Sequence, residues 1–487
     1  MWLHGPPSQR KSRKPLTMPL DTSFLRDTVN HGKPGAVDLV ADGKPRYTDS
    51  GLPIPRLMEL TQNLWERYGF TDNPYDTKAL SLSKAAPLSV QEAYIARADS
   101  SATADLLTNF LRNPGGGRIV VEGEPGVGKT TFVNFHRQRW ETTAKHKLIS
   151  PAGEISVREG WNERDFLLNL LASLSARLRL DLGDKEFEKN KLLSEITAIV
   201  GVRAEDGGGL SGSLTLFGFG GGLGQTRNKS VRVGEVTNDH LREYLRGLMA
   251  LVKKRGFAGV IFHFDNLELL GRRDVGVLKT FFEAVRDALQ EPCAYFIFVA
   301  NTGMFQQVIV PLPRVRSIFF DTPVHLAPLS ASEVKAVIDR RYHLLAVPEK
   351  QWIKPVDDQV VESLYQIFAG RIRYVMNAIT SLISHLPDSY AQPLNLEQAT
   401  IMFQAIVRSE VKSLLHGTEE AVFLQAAAIG RFTNSELGSR SQKSKQQIQK
   451  YLSIWLSLNL VSQREKIGRN QFYEVDPRFA VLREQTK

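Results

Sequence analysis

The sequence predicts an α/β fold, a P-loop parallel sheet with helices on both faces, followed by a helical lid and a small winged-helix module. Three observations carry that expectation. Ile119-Val120-Val121 runs into Gly123-Glu124-Pro125-Gly126-Val127-Gly128-Lys129-Thr130, an apolar strand and a glycine-rich turn fitting G-x-x-x-x-G-K-[ST], after which a helical pattern begins. Two later apolar runs, Gly259 to Asp265 and Ala294 to Ala300, read as strands buried on both faces. From Ala331 to about His416 strands cease and the pattern is all helical, which implies a second small domain.

Composition sets the bounds. A chain of 487 residues is too long for a single core. Its lone Cys293 sits in an apolar run, so no internal disulfide forms and a cytoplasmic core residue is expected. No run of about eighteen apolar residues exists, and Met1 to Pro7 lack the apolar core of a secretory signal, so no membrane association is expected. The net charge of +10 permits nucleic-acid binding, and where the charge falls decides it.

In chain order, residues 1–50 carry Arg10, Lys11, Arg13 and Lys14 among Pro, Ser and Gly, and read as a flexible basic arm. The ATPase core is expected over 51–328. Within it, Leu57 to Tyr68 and Asp105 to Leu111 have helical spacing. By resemblance to P-loop ATPases of the initiator type, in which the segment just ahead of the P-loop strand covers the adenine, Tyr94 and Ile95 are candidates for that apolar lid. In the turn, Gly123, Gly126 and Gly128 let successive N–H groups converge on phosphate, with Glu124, Pro125, Val127 and Thr131 completing the loop. Lys129 supplies charge to the β- and γ-phosphates of ATP, and Thr130 a hydroxyl to Mg2+. A strand region follows at His146 to Ile149 and Ile155 to Val157, then a helix over Phe166 to Leu180. Residues 207–224 are a glycine-rich insertion, either a linker or a hairpin whose Leu214, Leu216, Phe217 and Phe219 touch a neighbour or a ligand.

A helix over His240 to Lys254 leads into the strand ending in Asp265, where a P-loop fold holds its magnesium beside Thr130. His263 within that strand reads as a core histidine. Asn301, at the tip of the next strand, falls between the first two motifs of a five-stranded sheet and is placed to orient a water. Ser330 and Glu333 form a capping box that opens the lid, 329–417, in which Gly370-Arg371-Ile372-Arg373 starts a helix whose arginines reach back toward the nucleotide. Residues 418–487 read as three helices and a hairpin around Gly468-Arg469-Asn470, a winged helix. Residues 431–487 hold eleven Lys/Arg against five Asp/Glu, which concentrates the basic charge in this module. Lys443, Lys445 and Lys450 on the longest helix, with Arg464, Lys466 and Arg469 on the wing, are the expected DNA contacts.

In this order the motifs resemble AAA+ ATPases of the origin-recognition and initiator-like branch, and bacterial ATPases of ExeA and TniB type, over about residues 90 to 390, the winged helix extending the likeness to the C-terminus. The resemblance implies that Gly123 to Thr130 is Walker A, that Asp265 ends Walker B, and that Asn301 is sensor 1. It further implies that one of Arg314 and Arg316 is an arginine finger acting on a neighbour's nucleotide, so a homo-oligomer is expected, and that Arg373 is the sensor 2 arginine. One departure stands out: where these ATPases carry a glutamate after the Walker B aspartate, this chain has Asn266, with Glu268 two residues further on. Asn orients water but accepts no proton, so hydrolysis is expected to be slow or to depend on Glu268. The expected activity is that of an ATP-hydrolysing switch on duplex DNA, in replication initiation, transposition or phage defence, with a partner protein compatible with each. The rival is a STAND-type signalling ATPase whose winged helix is an interdomain clamp.

Overall fold

The apolar runs pair side by side. The computed structural model describes residues 63–83, 86–97, 101–142, 144–205, 236–267, 270, 275–468 and 470–486. In it, β1 (Gly117–Gly123), β2 (Leu148–Ile149), β3 (Ile155–Ser156), β4 (Gly259–Asp265), β5 (Ala294–Ala300) and β6 (Val324–Leu326) make one sheet in the order β2-β4-β5-β1-β6, with β3 also on β4. All its pairings are parallel. Period-two alternation then sends neighbouring side chains to opposite faces. Val120, Phe262, Phe264, Phe296 and Phe298 enter one apolar cluster, and Ile119, Val121, Ile261, Ile297 and Val299 the other. Because both faces are covered, β4 and β5 are buried at every residue. Each large side chain so buried contributes about 1.5–3 kcal/mol.

The covering helices lie on both sides of the sheet. α1 (Ser101–Arg112) and α2 (Lys129–Thr142) supply Leu107, Phe110, Phe132 and Val133 to one face. α3 (Glu163–Leu182), α4 (Asn238–Lys254) and α5 (Val275–Val285) supply Phe166, Leu245 and Phe282 to the other. The sheet has one strand beyond the expected five, because β3 pairs separately with β4. The three-residue β6, with only Val324 and Leu326 inward and His325 exposed, is too short to show an alternating pattern in the sequence.

The capping box at Ser330 opens α6 (Ala331–Leu345): Ser330 Oγ accepts the Glu333 N–H, and the Glu333 carboxylate accepts the Ser330 N–H at 2.7 Å. After it come α7 (Asp358–Ile367), α8 (Ile372–Ser384) and α9 (Leu396–Leu414). Trp65, Tyr68, Phe70 and Tyr75, ahead of the sheet in sequence, pack into this helical cluster, where Phe70 stacks on Tyr342. The last segment folds as α10 (Thr418–Ile429), β7 (Arg431–Thr433), α11 (Asn434–Ser441), α12 (Lys445–Ser457), β8 (Val461–Ile467) and β9 (Asn470–Val475), with an antiparallel sheet in the order β7-β9-β8. Its centre is Trp455, fully buried, edge-on to Phe423 and donating Nε1–H to Glu419 at 3.0 Å.

The described residues all belong to one unit of the chain, Gln62–Lys487. The basic arm (1–50), the glycine-rich insertion (207–224), Glu268, Arg469 and the Lys466 side chain lie outside the described residues. Among those described, no helix is long and apolar enough to cross a membrane.

Candidate nucleotide-binding site

The glycine-rich turn connects the end of β1 to the start of α2. Gly126 and Gly128 adopt φ of +83° and +92°, a region that costs an L-residue strain, and a Cβ at Gly126 would also meet the Arg373 Cβ at 3.0 Å. Lys129 is buried at the first turn of α2, and its Nζ donates to the carbonyls of Gly123 at 2.8 Å and Glu124 at 3.0 Å. The charge is thus held over the loop by two main-chain dipoles. Thr130 Oγ1 donates to Asp265 Oδ2 at 2.5 Å, so the hydroxyl of the loop and the carboxylate ending β4 meet although 135 residues apart. A hydroxyl and a carboxylate oxygen side by side are hard donors of the kind Mg2+ takes through one or two protein ligands, so these residues fit that ion.

A pocket opens beside the loop, between the sheet and the helical lid. The loop walls it from Pro125 to Thr131, with Asp265 and Asn266 at the strand end, Tyr94, Ile95 and Arg97 on one side, and Arg341, Arg373 and Met376 from the lid. Gly123 and Glu124 are off this wall; their carbonyls hold Lys129 instead. Thr131 does double service, lining the pocket and accepting the Leu80 N–H at 3.3 Å, which ties the segment Asp76 to Leu80 to the loop. Tyr94 stacks on Phe135 with ring centres 4.0 Å apart, and burial pushes its hydroxyl pKa up to about 12, so it is a neutral apolar wall. Arg97 and Arg341 escaped the sequence reading. Arg97 donates to the carbonyls of Val127 at 2.7 Å and Ala327 at 2.8 Å, fastening the loop to the end of β6. Arg341 donates to the Asp76 carbonyl at 2.5 Å, and burial brings its pKa down to about 10. Arg97 had a faint signal in its closeness to Tyr94; Arg341 had none, being one of several arginines in a helical run.

Asn266 lines the pocket at φ +61°, with its N–H donated to Asp265 Oδ1 at 2.8 Å. Left-handed backbone favours Asn among non-glycine residues, which is a conformational reason for Asn here instead of Glu. His263 is fully buried with Nδ1 3.3 Å from Arg137 Nη1, and burial, then the Arg137 charge, bring its pKa down to about 4; it is a core histidine. Asn301 follows β5, which runs between β4 and β1, and the register Glu122↔Ala300 sets it beside Gly123. Its Oδ1 is buried with no partner among the described residues, though Asn301 is not on the pocket wall.

From the lid, the Arg373 N–H donates to the Gly126 carbonyl at 3.3 Å and its side chain faces the pocket. Arg371 lies 3.7 Å from the Glu124 carboxylate and 3.9 Å from that of Glu474. The two finger candidates differ. Arg316 is tied down, paired with Asp321 at 2.8 Å and lying over the Phe305 ring. Arg314 is exposed and its side chain has no partner among the described residues.

In the C-terminal module, Lys445 and Lys450 are exposed on the first two turns of α12, which Ser444 caps, and Lys443, partly buried, lies just ahead of that cap. Arg464 departs from the expectation of an outward DNA contact. It is half-buried, 2.5 Å from Glu474 and 3.6 Å from the loop residue Glu124. Burial opposes its charge, yet these two carboxylates raise its pKa above the ordinary value.

No family model matches the chain, and no curated protein matches it. Among solved structures it is similar to the Aeropyrum pernix ORC2 protein in its ADP form (TM-score 0.43, 14% identity, 85% of this chain and 98% of that chain). It is also similar to the Aeropyrum pernix ORC1 protein in complex with DNA (0.38, 14%, 80% and 93%) and to Drosophila ORC bound to DNA (0.37, 10%, 93% and 96%).

Proposed function

We propose that the chain binds ATP with Mg2+ between its sheet and its helical lid, hydrolyses it slowly, and uses the nucleotide state to govern DNA binding by the C-terminal module. The observation that carries the nucleotide reading is the meeting of Lys129, Thr130 and Asp265 at one pocket. The loop N–H groups and Lys129 bind the phosphates, Thr130 and Asp265 hold the ion, and Arg373 reaches the phosphates from the lid. Bound Mg2+ supplies neutralisation of charge on the phosphate oxygens. Asn301 orients the attacking water. With Asn266 unable to take its proton, the base is either Glu268 or bulk solvent, hence the slow rate. The direct test is ATPase rate and particle size measured together, with and without duplex DNA; no nucleotide binding in either condition ends this reading.

The free side chain of Arg314 favours it over Arg316 as the group that reaches a neighbour's nucleotide. Arg314→Ala is expected to cut turnover roughly tenfold or more while ATP affinity stays within about twofold, and mixing it with a Lys129 variant is expected to restore part of the rate. Full activity of Arg314→Ala in a strictly monomeric ATP-bound chain would remove the shared site.

A second reading, the interdomain clamp, is favoured by the contact of Arg464 with Glu124. The two readings separate in one titration. If α12 is the DNA reader, Lys445→Ala weakens duplex binding and lowers its salt slope by roughly one unit. Arg464→Ala, already neutralised by two carboxylates, leaves the slope unchanged. A Lys445 variant with unaltered affinity and slope, alongside an Arg464 variant with altered nucleotide affinity, would favour the clamp.

A further inference from the structure

One buried carboxylate has no role in the machinery above. Glu122 is the penultimate residue of β1, directly before the first loop glycine, and only 5% exposed. Both its oxygens reach across to the neighbouring strand's exit. Oε2 accepts the Gly303 N–H at 3.2 Å and Oε1 accepts the Phe305 N–H. Those amides belong to the turn that carries Asn301, closed by Met304 N–H on the Asn301 carbonyl at 3.3 Å and by Gly303 at φ +90°. The chain then winds from Phe305 to Ile309 as a π-helix, whose first amides are of the kind no intrahelical carbonyl satisfies. Glu122 therefore caps that helical turn from another strand, with its negative charge at the positive end. Phe305, which it holds, carries the guanidinium of Arg316 over its ring at 4.9 Å.

We propose that Glu122 is a positioning residue that joins the phosphate-binding loop to Asn301, setting the height of the Asn301 amide beside Gly123 and, through Phe305, the placement of the short helix Pro313–Arg316. This rests on the nucleotide reading for its kinetic consequence and not for its structural one. A neutral glutamine in the same place offers one acceptor in place of two and turns an N–H toward an N–H. A misplaced orienting group acts on turnover far more than on ground-state affinity.

The test uses the full chain in two arms. In the first, Glu122→Gln lowers kcat roughly tenfold or more with KM and the affinity for a fluorescent ATP analogue within about twofold. The double variant Glu122→Gln/Asn301→Ala is then no slower than Asn301→Ala alone, because both act through one group. In the second, hydrogen–deuterium exchange across residues 301–310 is slow in the wild type and faster in Glu122→Gln, with Glu122→Asp as a second variant should the first fold poorly. Additive kinetic losses, or wild-type exchange in both variants, overturn the proposal. A wild-type chain that binds ATP without hydrolysing it refutes the hydrolase reading alone, and the exchange arm then decides for or against Glu122.

Discussion

Lys129→Ala is expected to lower ATP turnover by a factor on the order of a hundred or more, and to weaken ATP binding with it. The reason is geometric as much as electrostatic. Lys129 Nζ is already oriented by the carbonyls of Gly123 and Glu124, so its charge is presented to phosphate with little reorganisation. Removing it leaves the loop N–H groups as the chief partners of a highly charged group. Two carbonyl acceptors also lose their donor, that of the buried Gly123 among them, so some loss of stability is expected beside the loss of turnover. Lys129→Arg is expected to fail as well, since a planar fork of five donors does not fit the space of a compact ammonium. The measurement is steady-state hydrolysis together with analogue binding by fluorescence anisotropy. Turnover within twofold of wild type in Lys129→Ala would end the P-loop reading.

Much of this site was legible because its chemistry demands particular residues at particular spacings. Gly126 and Gly128 had to be glycines for their left-handed backbone, Lys and Thr had to follow, and a strand covered on both faces had to be apolar until Asp265. The same physics explains what was hidden. Glu122, Arg97, Arg137 and Arg341 are charged residues with buried side chains or firm main-chain partners, and a charge in a helix or strand pattern reads as solvent-facing until the chain supplies its partners from afar. Arg464 is the reverse case: a basic residue on a basic hairpin reads as outward, and only the folded register brings it to Glu474 and within reach of Glu124, 340 residues away in sequence.

Arg137 shows how far such a hidden charge carries. It lies two turns beyond Lys129 on α2, fully buried, and donates to Asn134 Oδ1 at 2.8 Å and to the carbonyls of Pro151 and Gly153, the latter at 3.4 Å, while facing His263 on β4. Burial pulls its pKa down to about 10, against Glu154 and Glu141, so it remains a cation at neutral pH. Asn134 in turn donates to Glu154 at 2.9 Å. The guanidinium is thus the centre of a network that fixes α2, and with it Lys129 and Thr130, against the strand that ends in Asp265. Truncating one member of a buried charged network leaves the others desolvated and unpaired, at a cost of about 3–5 kcal/mol. Arg137→Met, which keeps much of the volume, is therefore expected to lower stability by that order in chemical denaturation followed by tryptophan fluorescence. Adding Glu154→Gln is expected to recover part of the loss, because the carboxylate whose charge faced the guanidinium is then neutral as well. A loss below about 1 kcal/mol in the single variant would mean that water fills the site and that the network does not hold α2 in place.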